Sequence, residues 1–87
     1  MKTTKYFEQN VLQKRPEIRG NWQQWCQQVI ANPLKTEVQP NGRIRFWGQP
    51  SGVRNILRVV TLEDGETIHN AFFDRDFLKR QQKETER

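Results

Sequence analysis

His69 is the only histidine in this 87-residue chain. Imidazole has an ordinary pKa of about 6.5, so it can take and return a proton near neutral pH. Arg43, Arg45 and Arg58 lie in strand-like stretches close to Trp47. Guanidinium groups hold a phosphodiester through paired N–H donors and stabilise the extra negative charge of a phosphorane. RNA carries its own nucleophile, the 2′-OH, so a proton-transfer group and a charge stabiliser are enough to cleave it. His69, Arg58 and Arg45 are therefore the candidate catalytic residues, with Arg43 and Arg75 in support. Trp47 offers a surface for stacking an unpaired base. Lys14 and Arg15, together with Arg19, can extend a groove that follows a nucleic-acid backbone. Each has a structural alternative: a solvated strand histidine, charges that keep sheets from pairing edge to edge, and a half-buried core tryptophan.

Other chemistries find little support in the chain. One cysteine, Cys26, and one histidine allow neither an internal disulfide nor a cysteine-based zinc cage. Asp74 and Asp76 flank Arg75 and read as solvated or capping carboxylates rather than magnesium ligands. There is no glycine-rich phosphate loop and no Ser/His/Asp set, and no metal or cofactor is expected. Fifteen Lys/Arg against ten Asp/Glu give a net charge of +5, which suits a polyanionic partner. Residues 1–62 carry +7, residues 63–78 carry −4 and residues 79–87 carry +2, a basic body with one acidic corner. Mean hydropathy is −1.00, and no apolar run approaches the roughly 20 residues of a membrane span. No apolar run follows Lys2 and Lys5, so a secretory signal is not expected and a cytoplasmic, membrane-free setting is.

These residues need elements to position them. Leu, Ile, Val and Phe make up 21 of the 87 residues, enough for one small core and above the roughly 20% typical of disordered chains. Residues 1–78 are expected to form a single compact domain, and residues 79–87 a charged tail that frays or becomes helical against a partner. Phe7 and Val11 suggest a short helix over residues 6–14. Pro16 suits a first helical turn, and Ile18, Trp22, Trp25, Cys26, Val29 and Ile30 then recur as one apolar stripe. Asn32-Pro33 ends it. Strand-like runs follow, with tight turns at Asn41-Gly42 and Asp64-Gly65. The expected class is α+β: two N-terminal helices packed on one face of a three- or four-stranded antiparallel meander sheet.

Strand alternation assigns the faces. A turn at Asp64-Gly65 sets Thr61 against Ile68, Val59 against Asn70 and Leu57 against Phe72, all facing the helices. Ile44 and Phe46 join them, which leaves Arg43, Arg45, Trp47, Arg58 and His69 together on the opposite face. The first hairpin fits less well, because an Asn41-Gly42 turn pairs Val38 with Arg45 and sets a valine on the basic face unless a bulge shifts the register.

Helices followed by an antiparallel sheet in a small basic chain, with the stretches Arg43–Trp47 and Leu57–Arg75, resemble the RelE-type ribonuclease toxins of bacterial toxin–antitoxin pairs. The resemblance covers residues 5–78 in element order. It implies metal-independent cleavage of RNA, including mRNA on the ribosome, and an antitoxin protein that covers the basic face. Only arginine and histidine on the sheet carry over; the tail has Lys79 and Arg80 but no tyrosine. Two other classes compete. A non-catalytic nucleic-acid-binding module predicts salt-sensitive binding without turnover. A protein-interaction adaptor predicts contact through Trp47 and Phe73, with charge only steering association.

Overall fold

Pro40-Asn41-Gly42 reverses the chain between the first two strands. Gln39 N–H donates to the Arg43 carbonyl at 2.8 Å, and Gly42 N–H donates back to the Gln39 carbonyl at 2.9 Å. Gly42 has φ +87°, a left-handed conformation that glycine adopts without a β-carbon clash. The three-residue loop pairs Val38 with Ile44 and Glu37 with Arg45, one residue away from the expected register. Val38 therefore leaves the basic face, and Glu37 takes the place beside Arg45.

The computed structural model describes residues 1–85. It is a mixed α+β fold around a four-stranded antiparallel sheet, with strand order β1-β2-β3-β4. The strands are β1 (Lys35–Val38), β2 (Ile44–Gly48), β3 (Leu57–Thr61) and β4 (Ile68–Phe73). Instead of two N-terminal helices there is a π-helical turn (Phe7–Val11) that runs into α1 (Leu12–Lys14), then α2 (Pro16–Arg19) and α3 (Trp22–Ala31). Arg15, at φ −124° and ψ 75°, breaks the chain ahead of Pro16, as a residue preceding proline is pushed out of the helical region. The core joins Phe7, Val11, Ile18, Cys26 and Val29 to Phe46, Leu57, Val59, Ile68 and Ala71. Burial pushes the Cys26 thiol up to about 12, so it sits there as a small neutral hydrophobe.

The last hairpin closes as expected at Thr61 and Ile68, but it then slips. A bulge between Val60 and Thr61 leaves His69 unpaired, and the ladder resumes with Val60 opposite Asn70, Val59 opposite Ala71 and Leu57 opposite Phe73. One extra residue in β4 exchanges the faces of everything beyond it. Ala71 and Phe73 turn to the helices, where Phe73 meets the Trp25 ring edge-on at 5.8 Å. Asn70 and Phe72 turn to the arginine face. The N-terminal segment lies along the outer edge of β4: Thr3 bridges Ile68 in parallel, with Ile68 N–H donating to the Lys2 carbonyl and Thr4 N–H to the Ile68 carbonyl.

The tail is also more ordered than its composition suggests. Phe77–Thr85 form helix α4, and Glu86 and Arg87 lie outside the described residues. Phe77 is buried with Trp47 and Ile56 in a second, smaller core. That contact supplies the apolar anchor a charged, glutamine-rich helix needs. No described helix is long and apolar enough to cross a membrane.

Candidate functional site

The face of the sheet away from the main core carries two rows of side chains. One row runs Lys35, Trp47, Arg58, Phe72, and the next runs Glu37, Arg45, Val60, Asn70. Arg43 precedes β2 and extends this face beyond Arg45. Alternation in β2 and β3 thus gathers Arg43, Arg45, Trp47 and Arg58, as expected.

His69 lies apart from Arg58. The bulged position sits three residues before Phe72, the residue opposite Arg58, which is roughly 7–10 Å along the strand. The N-terminal segment fixes the ring. Thr4 Oγ1 lies 3.0 Å from His69 Nδ1, and the Tyr6 ring stacks on the imidazole with centroids 4.9 Å apart. Thr4 Oγ1 also accepts the Phe7 N–H at 3.1 Å, so it ties the start of the π-helical turn to the histidine. Burial and then the positive charge of Arg43 hold His69 below its ordinary pKa, which keeps the imidazole neutral at pH 7. We expect its ring protons, followed by NMR, to titrate below pH 6.5. Arg43→Gln should raise the midpoint only in part, because burial remains. A titration at or above 6.5 in the native chain would contradict this electrostatic assignment.

The other arginines meet aromatic rings or a carboxylate. The Arg58 guanidinium lies 5.5 Å from the Trp47 ring centroid and 5.0 Å from that of Phe72, within cation–π range. Arg15 approaches Phe72 at 5.4 Å, so two arginines share one ring. Arg45 Nη1 donates to Glu37 Oε1 at 3.0 Å. Desolvation and the nearby charge of Arg45 both lower the pKa of Arg58. The Nε atoms of Arg45 and Arg58 are buried without a hydrogen-bond partner.

Trp47 is not a stacking platform. It is 4% exposed, stacked against Phe77 with centroids 5.5 Å apart, and its Nε1–H donates to Asp74 Oδ2 at 2.9 Å. Asp74 also accepts two bonds from Arg80, at 3.2 and 2.6 Å. Its oxygens are thus engaged by an indole and a guanidinium. Arg75 is exposed on the turn into α4, and Lys14 is exposed at the end of α1; neither lines the cavity that contains Arg45 and Arg58.

That cavity, of about 220 Å³, lies between the sheet and α4. Lys35, Glu37, Arg45, Trp47, Arg58 and Arg80 form much of its wall. Sequence reasoning missed Lys35, Phe72, Asp74, Phe77 and Arg80, and also Thr4 and Tyr6 at the histidine. The available signal was the apolar pair Phe77-Leu78, placed between the last strand and the charged tail. Neither the bulge nor the N-terminal edge contact leaves a mark in the local sequence. Compared with protein-family models, curated proteins and solved structures, the chain matches none.

Proposed function

We propose that this chain is a metal-independent endoribonuclease, the toxin component of a toxin–antitoxin pair acting in the cytoplasm on RNA, including mRNA on the ribosome. The observation that carries this reading is a histidine held by Thr4 and stacked on Tyr6 at the end of an arginine-bearing sheet face, where burial and then the charge of Arg43 lower its pKa. With Nδ1–H donating to Thr4 Oγ1, Nε2 accepts the proton of the 2′-OH. The 2′-oxygen then forms a bond to phosphorus as the bond to the 5′-oxygen breaks, and the departing oxygen takes a proton from solvent. The products are a 2′,3′-cyclic phosphate and a 5′-hydroxyl end. Arg43, joined by Arg45 when it turns from Glu37, holds the phosphate and its growing charge. Arg58 lies too far along the sheet to share that phosphate without movement, so its role shifts to a neighbouring part of the strand. An antitoxin with an acidic segment complements the same face.

A second reading, a binding module without turnover, draws support from the separation of Arg58 and His69 along the sheet. Incubating the purified protein with labelled single-stranded RNA and with translating ribosomes, both in EDTA, separates the two. Cleavage that leaves cyclic-phosphate ends supports the ribonuclease. Salt-sensitive RNA binding with intact RNA selects the module.

A further inference from the structure

We propose that the cleft between α4 and the sheet is a binding site for a phosphate group, adjoining the His69 end through Arg45 and independent of whether His69 cleaves RNA. Four cations line it: Lys35, Arg45, Arg58 and Arg80. Three have a carboxylate each. Lys35 faces Glu84 at 3.8 Å, Arg45 faces Glu37 at 3.0 Å and Arg80 faces Asp74 at 2.6 Å. Arg58 makes no ion pair among the described residues. It is held between the Trp47 and Phe72 rings, and its Nε is out of contact with water and without an acceptor. Among the described residues the cluster therefore holds one cation more than its carboxylates, and the cation left over is Arg58.

A buried donor without a partner is unfavourable, and a phosphate oxygen relieves it once the Arg58 guanidinium shifts from between the rings toward the cleft. Planar guanidinium groups present paired N–H donors that match phosphate oxygens. Arg45, whose own Nε is also without a partner, can turn toward the same anion. The cavity of about 220 Å³ is smaller than the roughly 300 Å³ at which pockets for organic cofactors begin. Its size thus suits a phosphate group more than a whole nucleotide. Lys35, 5.8 Å from the Trp47 ring centroid, adds charge on the β1 side, and Arg80 adds charge from α4.

Inorganic phosphate titrated into the full chain at constant ionic strength, with chloride as the balancing ion, tests the site. Melting temperature should rise by about 5–10 °C for each tenfold excess of phosphate over its Kd. Arg58→Met, which keeps the apolar stem between the rings, should weaken phosphate at least tenfold. Lys35→Met, on the surface of the edge strand, should weaken it several-fold even if Arg58→Met fails to fold. Arg54→Met, on a loop outside the cleft, should change nothing. A 2′-O-methyl hexanucleotide, which has no nucleophile and cannot be cleaved, identifies the source of the phosphate. Tighter binding of its 5′-phosphorylated form over its 5′-hydroxyl form assigns the cleft to an RNA end. Equal binding of the two forms, with the phosphate response intact, assigns it to free phosphate. No phosphate response beyond chloride, or the same response in wild type, Arg58→Met and Lys35→Met, overturns the proposal.

Discussion

Asp74→Ala should destabilise the fold by about 2–4 kcal/mol and loosen α4 against the sheet. Asp74 is 8% exposed, accepts the Trp47 indole N–H, and receives both terminal nitrogens of Arg80. Removing it deletes hydrogen bonds to a charged group, worth about 1.5–3 kcal/mol, and leaves a buried indole donor unsatisfied at a further cost of about 1–3 kcal/mol. Part of this is recovered because Arg80, half exposed, regains water. Phe77, packed with Trp47 and Ile56, and the Lys35–Glu84 pair still hold α4 to the sheet. Urea unfolding gives the loss of stability, and the Trp47 indole N–H resonance reports the local change. A variant with wild-type stability and an unshifted resonance would show that the latch contributes nothing.

The same carboxylate gives stability a pH dependence of known sign. Arg80, through its hydrogen bonds, is the main cause holding Asp74 below the usual carboxylate range, and the Trp47 N–H adds to it against the opposing effect of burial. A depressed folded pKa means that the contribution is fully present above the unfolded value of about 3.9. It is lost as the pH falls through the lower folded value. Acid should therefore narrow the stability gap between wild type and Asp74→Ala, starting near the unfolded value of about 3.9 and continuing as the pH falls through the lower folded value.

His69→Ala should reduce RNA cleavage by about 10²–10⁴-fold, the usual contribution of a positioned general base. The fold should survive, since among the described residues the ring's hydrogen-bond and stacking partners are Thr4 and Tyr6 at the sheet edge, and His69 stands outside the main core. Single-turnover cleavage compared with thermal melting separates catalysis from folding. Activity in the wild type should rise with pH through the His69 titration, because the neutral ring is the base. The midpoint should fall below 6.5, because burial and then Arg43 disfavour the charged form. Full cleavage by His69→Ala would remove the histidine from the mechanism.

Much of this architecture follows from the chain itself. The apolar stripe from Ile18 to Ile30 requires a helical face, and strand alternation sends Arg45, Trp47 and Arg58 to one side of the sheet while Phe46, Leu57 and Val59 go to the other. Asp64 and Gly65 also determine the mouth of the last hairpin. Asp64 accepts the backbone N–H groups of Glu66 and Thr67 and the Thr67 hydroxyl, and Gly65 takes φ +68°. These are local effects of periodicity and turn chemistry, so they can be read from neighbouring residues.

Three decisions were tertiary. The bulge at His69 moved Phe72 to the arginine face and Phe73 to the core, because Phe73 fills a place beside Trp25 that the regular register would give to Phe72. Pairing of the N-terminal segment with β4 brought Thr4 and Tyr6 to His69 across more than sixty residues of sequence, a contact no local pattern encodes. The charged tail became α4 because Trp47 and Asp74, both in or next to the sheet, supplied a stacking surface and a counter-charge for Phe77 and Arg80. The sequence alone thus determined which residues could carry the chemistry and on which strands. Packing between distant segments decided which of them meet, because the free energy of burying an aromatic ring or pairing a charge exists only once both partners are in place.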